Sequence, residues 1–323
     1  MKHLNQAKLL FSRIKRSVYQ SSQGKCPEDY LYIMPSGGIG ELVLTCAQTH
    51  HVRHKHPVCL ILRSDRQWLP LVYPNAADLI IFVEPGEVGL LSLLDNECFL
   101  HPGHLMVSYV AGLVDDRFAS TLVMKEKLLG FKQSFAFMLD LPLDAPVEPP
   151  RLLQVALDVV PHDKSVLIMP SANFTRKIDA RYWDIIVRQL VARGYTVYWE
   201  KFGTFEMQVD GVVNIDSSVP HFIELARQCR NVLMLRSGLS DLTSAYASVL
   251  PDMRLAILWH LDPGTAGTVL EEWHTPGCSV GFPSSKTWFD CGDNVIDIEL
   301  APPTLETHPE AFIDRLCAHF ARA

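Results

Sequence analysis

The chain has 323 residues, 48% of them hydrophobic and 20% charged, the balance of a globular protein with material for two domains rather than one. Its formal net charge of −7 disfavours nucleic acid as the main partner, because dedicated nucleic-acid binders are usually basic. The 8 cysteines are scattered and form no CxxC pair, so they read as free thiols in a reducing compartment rather than as a zinc site.

Residues 1–20 read as an amphipathic helix. Leu4, Ala7, Phe11, Ile14 and Val18 recur at helical spacing. Lys2, Lys8, Arg13, Lys15 and Arg16 supply positive charge, and the segment holds no acid. Such a helix can rest on an anionic membrane surface, at the inner face of the cytoplasmic membrane. It can equally pack its stripe on the first domain and leave a basic face in water. The segment is not a secretory signal, and no apolar run is long enough to span a membrane, so a cytoplasmic protein is expected.

The predicted elements then alternate. A strand at Asp29–Met34 runs into the turn Pro35-Ser36-Gly37-Gly38-Ile39-Gly40 and a helix at Glu41–His54. Strands follow at Val58–Leu62, Leu79–Val83 and Met106–Val110, with helices at Asp65–Val72, Glu87–Leu94 and 118–129 between and after them. Leu141–Leu152 carries four prolines and marks a linker. The pattern restarts with a strand at Ser165–Met169, a loop, and a helix capped by Asp179 and closed by Gly194. Strands at Thr196–Glu200, Val212–Ile215, Val232–Leu235, Arg254–Leu258 and Val295–Ile298 alternate with helices at Val219–Cys229 and Leu239–Val249. A helix at Pro309–Ala321 ends the chain. This alternation predicts α/β class: two Rossmann-like domains, 1–150 and 151–323, each with a parallel sheet. Both halves open on the same tetrapeptide, Ile33-Met34-Pro35-Ser36 and Ile168-Met169-Pro170-Ser171. In open α/β sheets ligands bind outside the carboxyl ends of the strands, so a cleft between the two Ser-bearing loops is expected.

Three loops can carry chemistry. The turn Ser36, Gly37, Gly38, Gly40 permits close backbone approach to a ligand at a helix start. Glu41 sits in that first turn, either as a general base toward a hydroxyl or as a helix-capping acid. Asp65, past the second strand, keeps a nicotinamide site open, although the turn is not a full GxGxxG. The second loop combines Ser171, Asn173 and Thr175 with the cations Arg176 and Lys177, a donor set suited to phosphate. The third is Arg236-Ser237-Gly238 at another helix start, a cradle for an anion, with Asp241 placed to bind a sugar hydroxyl or cap the helix. Glu200, at a strand end, can accept from ribose hydroxyls. The cluster His50, His51, His54 and His56 has no carboxylate or cysteine at ligand spacing, and no DxD motif stands in a sugar-nucleotide context, so no metal is expected.

These motifs resemble bacterial glycosyltransferases of the GT-B fold, nearest the heptosyltransferase family (glycosyltransferase family 9). The family's Gly-Asp-Ile-Gly-Asp-like turn matches Gly37-Gly38-Ile39-Gly40-Glu41, and the family's base falls on Glu41. Its Pro-Gly-Ala/Ser loop, lysine and Trp-bearing helix match Pro170-Ser171-Ala172, Lys177 and Trp183. Its late Asp-Ser/Thr-Gly-Leu-x-His motif matches Arg236-Ser237-Gly238-Leu239-Ser240-Asp241, with Arg in place of the Asp and Asp in place of the His. That form looks more like a capsule or surface-polysaccharide enzyme. The resemblance implies two domains facing across a cleft. The first would hold a glycan or glycolipid acceptor and the second a nucleotide-diphosphate sugar. Transfer would be metal-independent and inverting, with no cofactor required. Two other expectations stay open: a sugar-nucleotide epimerase of the same fold, and a non-catalytic nucleotide-binding or scaffold protein that kept it.

Overall fold

A computed structural model describes residues 2–35, 38–94, 100–108, 131–159, 161, 164–172, 178–202, 204–260, 289–300, 305 and 307–321. The expected helix over 118–129 lies outside these residues. So do Ser36, Gly37, Asn173, Thr175, Arg176 and Lys177. The chain divides into two compact units, and the division falls between Arg151 and Leu152.

The first unit runs α1 (Lys2–Ser21), β1 (Leu31–Pro35), α2 (Ile39–Val52), β2 (Val58–Arg63), α3 (Leu69–Val72), β3 (Leu79–Val83), α4 (Pro85–Leu91), β4 (Leu105–Ser108) and α5 (Phe131–Met138). Its strands pair in parallel in the order β3-β2-β1-β4. β1 is buried along its whole length and β2 nearly so, which is why both read as unbroken apolar runs. β3 forms an edge and is only half-buried. Helix α1 packs its stripe into this unit: Leu10, Ile14 and Val18 join Tyr30, Tyr32, Met34, Cys59 and Ile61 in one core. The stripe is therefore shifted from the expectation, since Leu4 is exposed and Leu10 is buried. Of the two uses open to this helix, packing against its own unit takes the apolar face.

The second unit runs β5 (Ser165–Met169), α6 (Ala180–Ala192), β6 (Thr196–Glu200), β7 (Val212–Ile215), α7 (Val219–Cys229), β8 (Asn231–Leu235), α8 (Gly238–Ala247), β9 (Arg254–His260), β10 (Val295–Leu300) and α9 (Pro309–Phe320). Its sheet is parallel, in the order β10-β9-β8-β5-β6-β7. Read from β7, this is the doubly wound order in which successive strands step outward from the centre in two directions. α6 begins as expected: the Asp179 carboxylate accepts from the Arg181 N–H at 3.0 Å. It ends at Gly194, whose φ of +81° suits a residue without a Cβ. Trp183 of α6 is fully buried and meets Trp199 of β6 edge-on at 5.5 Å. Such a ring pair adds about 1 kcal/mol to the burial itself. Trp183 is thus a core residue, surrounded by Ile178, Ile186 and Leu233.

Among the described residues no helix is long and apolar enough to cross a membrane.

Candidate functional site

In the second sheet the chain reverses its direction of stepping between β5 and β8, which lie side by side with Met169 opposite Met234. At such a switch point the loops leaving the two strands part to opposite faces and open a crevice at the carboxyl edge. The strand β5 leads into Pro170 and Ser171; β8 leads into Arg236, Ser237 and α8. The fold therefore brings two of the sequence-nominated loops to one edge. Ser171 is half-buried there.

The start of α8 is built by short polar side chains. Ser237 is extended, with φ −158° and ψ 169°, and Gly238 begins the helix. The Ser240 N–H donates to the Ser237 Oγ at 3.3 Å, and the Ser237 N–H donates to the Ser240 Oγ at 3.0 Å. This reciprocal pair is a capping box with serine in the distal position. It has a consequence for the cradle expected from the sequence. The Ser237 N–H serves the cap, so the donors that remain at the helix mouth are those of the first helical residues, Gly238 and Leu239. The role of Ser240 was missed in the sequence, although the spacing Ser-x-x-Ser carries it.

Arg236 and Asp241 meet each other. Their side chains pair at 2.6 Å, and both are almost wholly buried, at 7% and 3% exposed. The guanidinium also donates to the Ser237 carbonyl at 2.9 Å and to the Ser240 Oγ at 3.2 Å. The Arg236 N–H donates to Leu258 of β9 at 3.0 Å. One arginine thus ties the end of β8, the cap of α8 and the neighbouring strand together. The base and the acid at these two positions neutralise each other. A charge compensated this closely gives little net attraction to a phosphate.

Glu200 ends β6, one strand away from the crevice, and is fully buried. Its carboxylate accepts from the Ser217 N–H at 3.1 Å, the Phe202 N–H at 3.3 Å, and the Ser217 hydroxyl through a short hydrogen bond. Burial pushes its pKa up against the pull of these donors. Glu200 therefore staples the loops after β6 and β7.

In the first unit the corresponding switch point lies between β1 and β4, where Pro35 faces Ser108. α2 starts there. Gly38 and Glu41 are half-buried and Gly40 is buried. The Gly38 N–H donates to the Glu41 Oε2 at 2.7 Å, so the carboxylate caps the helix while standing at the strand edge. Of its two expected roles, this hydrogen bond shows the cap, with one carboxylate oxygen anchored.

Asp65 is held between Arg63, at 2.9 Å, and Arg66, at 3.7 Å. The acid that kept a nicotinamide site open thus sits in a local cation clamp. The His50 and His51 rings lie tilted against each other, with centroids 3.6 Å apart, at the end of α2, and grip the linker. His50 lies 3.5 Å from Glu148, and His51 is 2.9 Å from the Pro146 carbonyl. Glu148 also accepts from Asn75 at 2.9 Å. Burial and the neighbouring His51 hold the His50 pKa below its usual value, despite the pull of Glu148. Among the described residues no group of three or more His, Cys, Asp and Glu side chains is placed to hold a metal ion.

Solved structures share this fold. The chain is similar to E. coli ADP-heptose lps heptosyltransferase II, with a TM-score of 0.57 and 12% identity, over 90% of this chain and 98% of that one. It is also similar to the glycosyl transferase family 9 protein of Veillonella parvula, with a TM-score of 0.52 and 10% identity, over 93% of this chain and 99% of that one. The fold is that of the GT-B glycosyltransferases. At these identities the likeness establishes the architecture and leaves the chemistry to the site. No family model matches the sequence, and no curated protein matches it. The GT-B fold fits the two parallel sheets, of four and six strands, each with a switch point at which a helix begins.

Proposed function

We propose that the chain is a glycosyltransferase that moves a sugar from a nucleotide-diphosphate sugar to a hydroxyl of a lipopolysaccharide, capsule or other surface-glycan acceptor. The observation that carries this reading is the convergence of the Ser171 loop and the α8 start at the β5/β8 switch point. A helix mouth with unpaired N–H groups in such a crevice suits a diphosphate. ADP-heptose is the first donor to try, because the E. coli protein of similar fold bears that name.

In this reading Gly238 and Leu239 offer N–H groups to the diphosphate. Arg176 and Lys177, which stand in the chain between Ala172 and Ile178, supply the neutralising charge in place of a metal. Ser171, Asn173 and Thr175 add hydroxyl and amide donors, and the glycine turn at 36–40 approaches the acceptor. Arg236 and Asp241 shape the helix mouth rather than touch the donor, and Glu200 holds the loops beside it. Glu41 accepts the acceptor's proton as its oxygen bonds to the anomeric carbon. The bond from that carbon to the phosphate oxygen breaks, and the nucleoside diphosphate leaves with the electron pair. A single displacement of this kind inverts the anomeric carbon.

The test is a thermal-shift screen of nucleoside diphosphates and their sugars in the presence of EDTA. At a hundredfold excess over Kd a ligand stabilises by about 2.7 kcal/mol. For a unit of this size that is a rise of about 5–10 °C. A shift with at least one nucleoside diphosphate is expected; no shift with any would refute the donor site.

A further inference from the structure

Helix α1 has a second face that the fold leaves unused. At 20 residues it is about 30 Å long. Its inward side, Ala7, Leu10, Ile14 and Val18, is spent in the core of the first unit. On the opposite side Lys2, Leu9 and Arg16 recur every seven residues, which keeps them within about 40° of one another along the helix. All three are exposed, Leu9 at 68%. Lys8 and Tyr19 lie together on one side of this line, about 80–100° around the helix, and are exposed too. The helix holds no acid.

The bases of α1 do two different jobs. Lys15 turns inward and pairs with Glu28 at 2.7 Å, with its ammonium also 5.1 Å from the Phe11 ring. Arg13 leans toward Glu87 at 3.5 Å. Both are partly neutralised by the body of the protein. Among the described residues nothing forms an ion pair with Lys2, Lys8 or Arg16. An uncompensated basic face with an exposed leucine at its centre therefore stands on a chain whose net charge is −7. A generally acidic surface gives no electrostatic reason to gather bases on one helix face; an anionic surface outside the molecule does.

We propose that the outer face of α1 docks the protein on an anionic phospholipid surface. The helix lies parallel to the membrane plane with Lys2, Lys8 and Arg16 among the headgroups and Leu9 entering the interface. This differs from an inserted amphipathic helix, because the large apolar stripe is already buried in the protein. Binding is therefore electrostatic, reversible and shallow. The inference is independent of the transferase reading, since it uses no residue of either sheet edge.

Full-length protein is co-sedimented with vesicles of pure phosphatidylcholine, or of phosphatidylcholine with a third phosphatidylglycerol, at low and high salt. Binding to the anionic vesicles alone is expected, and high salt should release it. Each surface base contributes roughly a factor of five to ten near such a membrane. The variant K2Q/K8Q/R16Q should therefore bind about a hundredfold more weakly or worse, and Leu9→Ala a few-fold more weakly. Both substitute exposed positions, and unchanged melting temperatures check that they stay folded. Failure to bind anionic vesicles, equal binding to neutral ones, or unchanged binding by the triple variant would each overturn the proposal. Wild-type protein that prefers a soluble anionic polysaccharide to the vesicles, in competition, would overturn it as well.

Discussion

Gly238→Pro separates the backbone N–H of α8 from everything else at the helix mouth. Proline at the first helical position is tolerated, since the N–H it removes has no intrahelical partner and its fixed φ suits the helix. The residue before proline must be extended. Ser237 already is, at φ −158° and ψ 169°, and the Ser237–Ser240 cap uses no atom of Gly238. The folded state should therefore lose little, and the stiffer unfolded chain can offset part of that by about 0.4–1 kcal/mol. If the Gly238 N–H donates to a diphosphate, its loss removes one charge-assisted hydrogen bond of about 1.5–3 kcal/mol. That is a rise in Kd of about 10- to 100-fold. Gly238→Ala keeps the N–H and serves as the control. Isothermal titration with the nucleoside diphosphate found in the screen, in EDTA, reads both variants. The expected result is weak binding by Gly238→Pro and near-normal binding by Gly238→Ala, with similar melting temperatures. Equal binding by wild type and Gly238→Pro would refute the reasoning. Equal loss in both variants would refute it too, because crowding and not the N–H would then be responsible.

The remaining predictions concern the frame around the site. Arg236→Met leaves Asp241 charged and buried and should cost about 3–5 kcal/mol in urea unfolding, whereas R236M/D241L should recover most of it. A single-variant cost no larger than the ~1 kcal/mol of an exposed pair would contradict the burial. Gly103→Ala should destabilise more than Gly194→Ala. Both have positive φ, but a Cβ at 103 meets Glu28 Oε2 at 2.3 Å and the Glu28 carbonyl at 3.3 Å, while one at 194 has only the Lys164 ammonium at 3.7 Å. The expected costs in urea unfolding are about 2–3 and about 1 kcal/mol, and equal costs would count against this packing. The depressed pKa of His50 means that the unfolded chain binds its proton more readily than the folded one. Stability should accordingly fall as pH drops through about 6.5 and below, and His50→Gln should flatten that part of the profile. A profile unchanged by His50→Gln would show that the linker clamp titrates elsewhere.

Much of the fold was legible because central strands of parallel sheets are buried on both faces and read as apolar runs. The central strands Ser165–Met169 and Thr196–Glu200 have the bounds the sequence indicates, and so do the half-buried edge strands Leu79–Val83 and Val212–Ile215. The Asp179 cap and the Gly194 stop were legible for the same kind of local reason. Strand ends that depend on a neighbour were not: β9 runs on to His260 and β10 to Leu300 because the two pair along six positions. The short helix α5, Phe131–Met138, was missed. The site residues were chosen by type and place, and type alone cannot say which polar groups satisfy each other. The sequence offers Arg236 to an anion and Asp241 to a sugar hydroxyl or a helix cap; their five-residue separation also lets the end of a strand meet the first turn of a helix, where the two pair. The sequence offers Glu200 to ribose hydroxyls; its bond to Ser217 was not legible, because that serine lies on the loop after another strand. The capping role of Glu41 was legible from its place in the first turn of α2, where the Gly38 N–H donates to it; its role as a base is part of the proposal.

The most direct test of sugar transfer is the release of nucleoside diphosphate from ADP-heptose, in the presence and absence of a deacylated lipopolysaccharide-core acceptor, by wild type and Glu41→Gln. Other nucleotide-diphosphate sugars identified in the screen are run alongside. Acceptor-dependent release by wild type is expected, with turnover by Glu41→Gln lowered by about 10²–10⁴-fold and its donor Kd near that of wild type. Release that needs no acceptor, or transfer by Glu41→Gln at the wild-type rate, would contradict the assignment of Glu41 as the base of a glycosyl transfer.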